Sequence, residues 1–129
     1  MCIRDSLKIA QGHQQVMSYL TVKGAYNFMD FLKNVFNAEE QLTVPRSKDL
    51  VMHAEMKIGE TTLLITDAVD ETPTNPAELF IYVNDTDAIY KKAIKEGATA
   101  LLEPEASEFA KRTAGIKDSF GNTWWLHTL

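Results

Sequence analysis

The spacing of hydrophobic positions along this chain changes from a strand-like to a helix-like period and back again. Residues 79–83 are a short apolar run that predicts a strand. Asn84 and Asp85 follow as good N-cap residues, and apolar residues then recur at helical spacing as far as Gly97. Residues 99–102 predict a further strand. The stretch 78–102 is therefore predicted to be a strand–helix–strand unit.

The same order of elements is predicted earlier in the chain, with a strand at residues 18–22 and a helix at residues 25–36. Landmark residues of the two copies lie 60 to 62 positions apart, namely Val22 and Val83, Ala38 and Ala98, and Gly59 and Gly121. Agreement at three separate landmarks favours an internal duplication. Phe28, Phe31 and Phe36 lie at core spacing on the first helix, so we interpret them as packing residues.

Each half is predicted to continue with three more strands, at residues 39–45, 50–58 and 61–66 in the first half and 99–102, 113–118 and 122–128 in the second. We therefore predict a single domain over residues 16–129, made of the units 16–66 and 78–129. The linker 67–77 is rich in acids and prolines. Residues 1–15 have no periodicity and are interpreted as an N-terminal extension.

Composition and charge exclude several classes of partner. The chain has 129 residues, 45% of them hydrophobic, and a formal net charge of −5, as in an ordinary globular protein. The negative charge argues against nucleic acid and anionic membranes as partners. Cys2 is the single cysteine, which excludes an internal disulfide and a cysteine-based zinc site. Neither a membrane-spanning apolar run nor a signal-peptide pattern is found, so we expect a cytoplasmic protein.

The two tandem βαβββ units resemble the glyoxalase, bleomycin-resistance and extradiol-dioxygenase superfamily, also called the vicinal oxygen chelate fold. The phrases YLTV, NAEE, VMHAEMKIG, YVNDTDAIYKKAIKEGA and DSFGNTWWL are most similar to its PhnB-like branch. The resemblance covers residues 16–127. It implies an α+β fold in which eight mostly antiparallel strands form a curved cup, with the helices outside and the ligand within.

Catalytic members of that superfamily bind a divalent metal through four side chains of the cup. The resemblance places these positions at Met17, at Leu63 or Leu64, at Glu78 and at Trp125. Only Glu78 can ligate such an ion, so we predict no metal site and no cofactor.

Strand alternation predicts which side chains point into the cup. Leu79, Ile81 and Val83 should face the helices, as should Trp124 and Leu126 in the last strand. In the third strand Met52, Ala54 and Met56 are predicted to be core, and Val51 and Lys57 to face inward with two candidate site residues. The predicted ligand-binding residues are Tyr19, His53, Glu55, Glu78, Phe80, Tyr82, Trp125 and His127.

These residues favour a metal-free protein that binds a planar, neutral or cationic small molecule on aromatic side chains. We also expect a homodimer, as is common in the superfamily. The alternative is an enzyme of the lyase, isomerase or dioxygenase type, acting on a small carbonyl or phenolic compound. His53 and Glu55 are the candidates for acid–base chemistry there. A third interpretation is a cup filled by its own side chains, which leaves only a dimerisation role.

Overall fold

The computed structural model describes residues 7–129 and contains the predicted βαβββ unit twice. The first six residues of the predicted extension lie outside the described residues. The elements of the first half are β1 (Tyr19–Val22), α1 (Ala25–Phe36), β2 (Glu39–Pro45), β3 (Val51–Ile58) and β4 (Thr61–Asp67). Those of the second half are β5 (Glu78–Tyr82), α2 (Thr86–Lys95), β6 (Thr99–Glu105), β7 (Arg112–Lys117) and β8 (Thr123–Thr128).

The eight strands form two four-stranded mixed sheets, one for each half. The first sheet has the order β1-β4-β3-β2 and the second has the order β5-β8-β7-β6. In each sheet the first strand runs parallel to the last strand of its half, and the other neighbours are antiparallel. Among residues 7–129 no strand pairing joins one sheet to the other. The predicted α+β fold with a tandem duplication is confirmed.

Each helix begins where the last strand of its own half ends. Gly24 precedes α1 and has no side chain to cap it, but the carboxylate of Asp67 accepts hydrogen bonds from the backbone N–H groups of Gly24 and Ala25, both at 2.9 Å. At α2, Asp85 caps the Ala88 N–H as predicted. The hydroxyl of Thr128, at the end of β8, accepts from the Thr86 N–H at 3.0 Å.

The hydrophobic core lies between the helices and the sheets and joins the two halves. Phe28, Phe31 and Phe36 are buried, as their helical spacing predicted. Phe120, in the turn before β8, packs against Phe28 at a centroid distance of 5.2 Å, and Trp124 packs against Phe36 at 4.6 Å. Because each helix covers one face of its own sheet, the opposite face stays uncovered, and we call it the open face.

The turn between β7 and β8 is organised by Asp118, which is buried. One of its carboxylate oxygens accepts from the N–H groups of Phe120 and Asn122, and the other accepts from the Trp124 indole at 2.8 Å. Asn122 in turn accepts from the Ala77 N–H at 3.0 Å, next to the start of β5. The turn therefore sets where the central strand β8 and the edge strand β5 begin.

The side-chain alternation predicted for β3 is wrong at its first two residues. Val51 was expected to face the cavity but is fully buried, and Met52 was expected in the core but is 45% exposed. The cause is a β-bulge, because Val44 pairs with His53 whereas Pro45 pairs with Val51, which leaves Met52 without a partner. From His53 onwards the predicted alternation holds, with Ala54 and Met56 buried.

Strand β6 continues through Pro104 to Glu105, although a loop was predicted from that proline onwards. The strand lies at the edge of its sheet, where a residue without an N–H is tolerated, and its pairing with β7 is irregular after Leu102. Neither helix in the described part of the chain is long and apolar enough to cross a membrane.

Candidate functional site

The open face of the first sheet carries a chain of four polar side chains from three parts of the sequence. The Tyr19 hydroxyl on β1 lies 3.2 Å from Nδ1 of His53 on β3. Nε2 of His53 lies 2.9 Å from one carboxylate oxygen of Glu55. Nε2 of His13 lies 2.9 Å from the other oxygen of the same carboxylate. His53 and Glu55, the two candidates for acid–base chemistry, are therefore hydrogen-bonded to each other.

The two histidine contacts stabilise the ionised form of Glu55. Hydrogen bonds first from His13 and then from His53 lower the pKa of its carboxyl group below the usual 4.5, and partial burial opposes this shift. The segment that carries His13 is tied to the sheet by other contacts. Gln14 accepts from the Thr62 N–H at 3.0 Å, and the Thr62 hydroxyl donates to the Gly12 carbonyl at 2.7 Å.

The open face of the second sheet is built around Trp125. A Cβ atom placed on Gly115, its neighbour on β7, would lie only 2.4 Å from Cζ3 of the indole, so the six-membered ring lies directly over this glycine. The indole N–H donates to the Glu78 carboxylate on β5 at 2.7 Å. Both contacts hold the ring against the sheet rather than in the helix-side core, where Trp124 is buried.

Three more aromatic rings continue this surface along β5 and β8. Phe80 stacks on His127 at a centroid distance of 4.2 Å with an interplanar angle of 19°, and Tyr82 meets Phe80 edge-on at 5.1 Å. Nε2 of His127 lies 3.1 Å from the Thr113 hydroxyl, and Nδ1 is buried without a hydrogen-bond partner among the described residues. Phe80 and Tyr82 are 56% and 64% exposed.

The structure thus brings the predicted site residues together in two groups on separate sheets. The first group consists of Tyr19, His53 and Glu55, and the second of Glu78, Phe80, Tyr82, Trp125 and His127. A cavity of about 760 Å³ lies between the end of the first sheet, β5 and α2. Phe80 and Tyr82 are the only members of either group that line this cavity.

Sequence reasoning missed three residues that complete these groups. His13 belongs to the aperiodic extension, where no local signal indicated its contact with Glu55. Thr113 was predicted only as a strand residue, without its contact to His127. Gly115 had a readable signal, because a glycine inside a predicted strand often marks a close approach by another group.

The side chains at the superfamily's metal positions do not fit a metal ion. Glu78 already accepts a hydrogen bond from the Trp125 indole N–H. The indole itself is only a donor and cannot ligate a metal ion. Leu64 pairs with Tyr19 on the open face, and Leu63 is buried in the core. Within residues 7–129 no group of three or more His, Cys, Asp or Glu side chains is arranged to hold a metal.

Tandem βαβββ units, each with one helix-covered and one open sheet face, define an α+β protein of the kind that the sequence predicted. Residues 12–126 match the Glyoxalase/Bleomycin resistance protein/Dioxygenase superfamily, and the chain belongs to this family. An uncharacterized protein of Mycobacterium tuberculosis is 28% identical, with 92% of this chain and 84% of that protein covered.

Solved structures show the same fold at low sequence identity. A PhnB protein from Bacillus cereus superposes with a TM-score of 0.73 at 18% identity, covering 90% of this chain and all of the other. The fosfomycin resistance protein FosX from Listeria monocytogenes superposes with a TM-score of 0.69 at 20% identity, covering 90% of both chains. At these identities the likeness establishes the fold and no activity.

Proposed function

We propose that this protein binds a planar small molecule, neutral or cationic, on the open face of the second sheet, and that it does so without a metal or cofactor. The observation that supports this most is the position of Trp125, held over Gly115 and hydrogen-bonded to Glu78. An indole fixed in this way presents a preorganised stacking surface, so little side-chain entropy is lost when a ligand binds.

The neighbouring rings and charges support the same ligand class. Phe80 and Tyr82 extend the aromatic surface, and both are more than half exposed in the single chain. Glu78 is an exposed carboxylate beside the indole, and the chain carries a net charge of −5. A cation or a neutral ring is therefore favoured over an anion, since an anion would meet the carboxylate and the negative face of the rings.

The test is a titration with three bicyclic probes of matched size: N-methylquinolinium as the cation, quinoline as the neutral ring and quinaldate as the anion. Binding should quench tryptophan fluorescence and raise the melting temperature with the first two probes and not with quinaldate. Trp125→Ala should weaken binding by roughly 1–3 kcal/mol through lost stacking and buried area.

Two controls separate stacking at this site from collisional quenching. Tyr26→Phe changes an exposed aromatic residue on α1 and should leave binding unchanged. Trp124 is buried, so the fluorescence that remains in Trp125→Ala should respond little to the probes. The absence of both quenching and a thermal shift with all three probes would contradict the proposal. It would favour a face that only contacts another chain.

The second candidate is an enzyme acting on a small carbonyl or phenolic compound. It is favoured by one observation, the hydrogen-bonded chain of His53, Glu55 and Tyr19 on the first sheet, which combines a base, a carboxylate and a hydroxyl as acid–base chemistry requires. The donor set at the superfamily's metal positions gives no support to a metal-dependent version of this reaction.

A further inference from the structure

We propose that Tyr19 is an activated nucleophile, and that its hydroxyl oxygen takes up acyl groups from small activated acyl donors. The inference concerns the first sheet and does not depend on ligand binding at the second. It rests on the hydrogen-bonded chain from Tyr19 through His53 to Glu55, with His13 on the far side of the carboxylate.

The direction of each hydrogen bond follows from the chemistry of the groups. An ionised carboxylate can only accept, so Nε2 of His53 must carry the hydrogen that it shares with Glu55. In neutral His53 the other nitrogen, Nδ1, then has a free lone pair and accepts the Tyr19 hydroxyl at 3.2 Å. His13 donates to the second oxygen of Glu55 and thereby keeps the carboxylate ionised and oriented.

The arrangement has the three parts of an activated hydroxyl: a nucleophile, a base that takes its proton, and an acid residue that orients the base. In the reaction the Tyr19 oxygen attacks the acyl carbon while its proton passes to Nδ1 of His53. The bond between the acyl carbon and the leaving group breaks, and the leaving group departs with that electron pair. The imidazolium formed is stabilised by Glu55 and returns its proton to the leaving group or to water.

The exposure of Tyr19 allows the reaction, and a second exposed tyrosine, Tyr82, provides an internal comparison. The Tyr19 side chain is 52% exposed, so its oxygen is open to a small reagent. Tyr82 is more exposed, at 64%, and has no base hydrogen-bonded to its hydroxyl in the described part of the chain. In the single chain, where no second copy covers β5, exposure alone would make Tyr82 react faster than Tyr19, so labelling is followed at a concentration at which light scattering gives 14.5 kDa.

The probe is N-acetylimidazole, which transfers an acetyl group to tyrosine oxygen and releases imidazole. Acetylation of each tyrosine in the full chain is followed over time by peptide mass spectrometry. Tyr19 should be acetylated about 100-fold faster than Tyr82 or Tyr26, which is the lower end of the range for general-base assistance. Equal or slower labelling of Tyr19 would overturn the proposal without any variant.

Variants then identify the source of the reactivity. His53→Gln should slow acetylation of Tyr19 to the rate of Tyr82, and Glu55→Gln should slow it partially, since the base remains but its partner is lost. Glu103→Gln removes an exposed carboxylate on β6 and serves as the matched control. Circular dichroism checks that each variant is folded. Unchanged labelling of Tyr19 in folded His53→Gln would also overturn the proposal.

Discussion

Gly115 differs from the other five glycines of the chain in its backbone conformation. Those five all have positive φ angles, which explains a glycine at each of them, whereas Gly115 lies inside β7 in an ordinary strand conformation. Its role is to leave room for the Trp125 ring, since a Cβ atom would lie 2.4 Å from the indole. The position of the proposed binding surface therefore depends on one missing methyl group.

This predicts that Gly115→Ala displaces Trp125 and lowers the free energy of unfolding by about 1–3 kcal/mol, the usual effect of an overpacked site. Chemical denaturation measures the stability, and the shift of tryptophan emission reports the displaced ring. Adding Trp125→Leu to the Gly115→Ala variant should restore part of the lost stability, because the smaller side chain leaves space for the methyl group. If the two changes were simply additive, the proposed contact would not be the cause.

The lowered pKa of Glu55 predicts that the folded protein loses stability in acid. Its pKa is lowered in the folded protein by His13 and then by His53, so the ionised form favours folding at pH values above its ordinary 4.5. The stabilisation disappears as the pH falls from 4.5 through the lowered value. Urea denaturation from pH 7 to pH 3 should therefore show a smaller acid-induced loss for Glu55→Gln than for the wild type. Glu103→Gln should follow the wild-type curve.

At the residue scale, the sequence predicts what depends on local alternation and misses what depends on distant contacts. Trp124 in the core and Trp125 on the open face follow from their positions in one strand. The contact of His13 with Glu55 joins an aperiodic segment to β3 and has no local signature. The bulge at Met52 was missed because periodicity assumes that every residue of a strand has a partner.

Among the secondary-structure elements, the duplication is visible in how each helix is capped. Asp67 and Thr128 are the last residues of β4 and β8, and each binds the first turn of the helix in its own half. Asp67 accepts three backbone N–H groups, those of Gly24, Ala25 and Val51. The Thr128 hydroxyl accepts one backbone N–H and donates to the Val83 carbonyl, so the hydroxyl of Thr86 must donate to it.

The two caps should therefore differ in their contribution to stability. A buried N–H left without a partner costs about 1–3 kcal/mol. Asp67→Ala leaves three backbone N–H groups without their carboxylate acceptor and should destabilise the protein by roughly 3 kcal/mol or more. Thr128→Val leaves one backbone N–H, the Thr86 hydroxyl and the Val83 carbonyl without a neutral, part-buried partner, and should cost about 1–3 kcal/mol. Thermal and urea denaturation compare the two variants. Thr99→Val, at an exposed position, is the control, and an equal loss in all three would contradict this assignment.

Element order was predictable because each half carries its own strand, cap and helix signals, and because the two halves repeat them. Asp85 was readable as an N-cap from its place before the helical pattern. Asp67 was not, since it was assigned to the linker by composition and caps a helix more than forty residues earlier in the chain. Strand ends at an edge, such as Pro104 in β6, also depend on pairing that periodicity does not encode.

For the whole molecule, the two sheets differ in how their first strands are covered. The outer edge of β1 is bridged by the linker, where the Asn75 N–H donates to the Thr21 carbonyl at 3.2 Å. Strand β5 pairs only with β8 among the described strands, and its other edge borders the 760 Å³ cavity. The exposed rings of Phe80 and Tyr82 lie on this same strand.

We propose that a second copy of the chain binds at the exposed edge of β5. An unpaired strand edge with exposed apolar side chains is a liability for a monomer, and a two-fold contact at the Tyr82 end of β5 would cover both copies at once, while Trp125 and Glu78 at the other end stay free for ligand. Leu129, which is 78% exposed at the end of the chain after β8, would add to the contact. A stable dimer requires roughly 1,200 Å² or more of total buried surface.

Light scattering at micromolar concentration should therefore give about twice the 14.5 kDa mass of one chain. Tyr82→Lys places a charge on the exposed edge strand and should shift the mass towards that of a single chain, because burying an unpaired ammonium group opposes association. Leu101→Lys makes the same change at an exposed apolar position on β6, the opposite edge of the sheet, and should leave the dimer intact. A mass of 14.5 kDa for the wild type would refute the dimer.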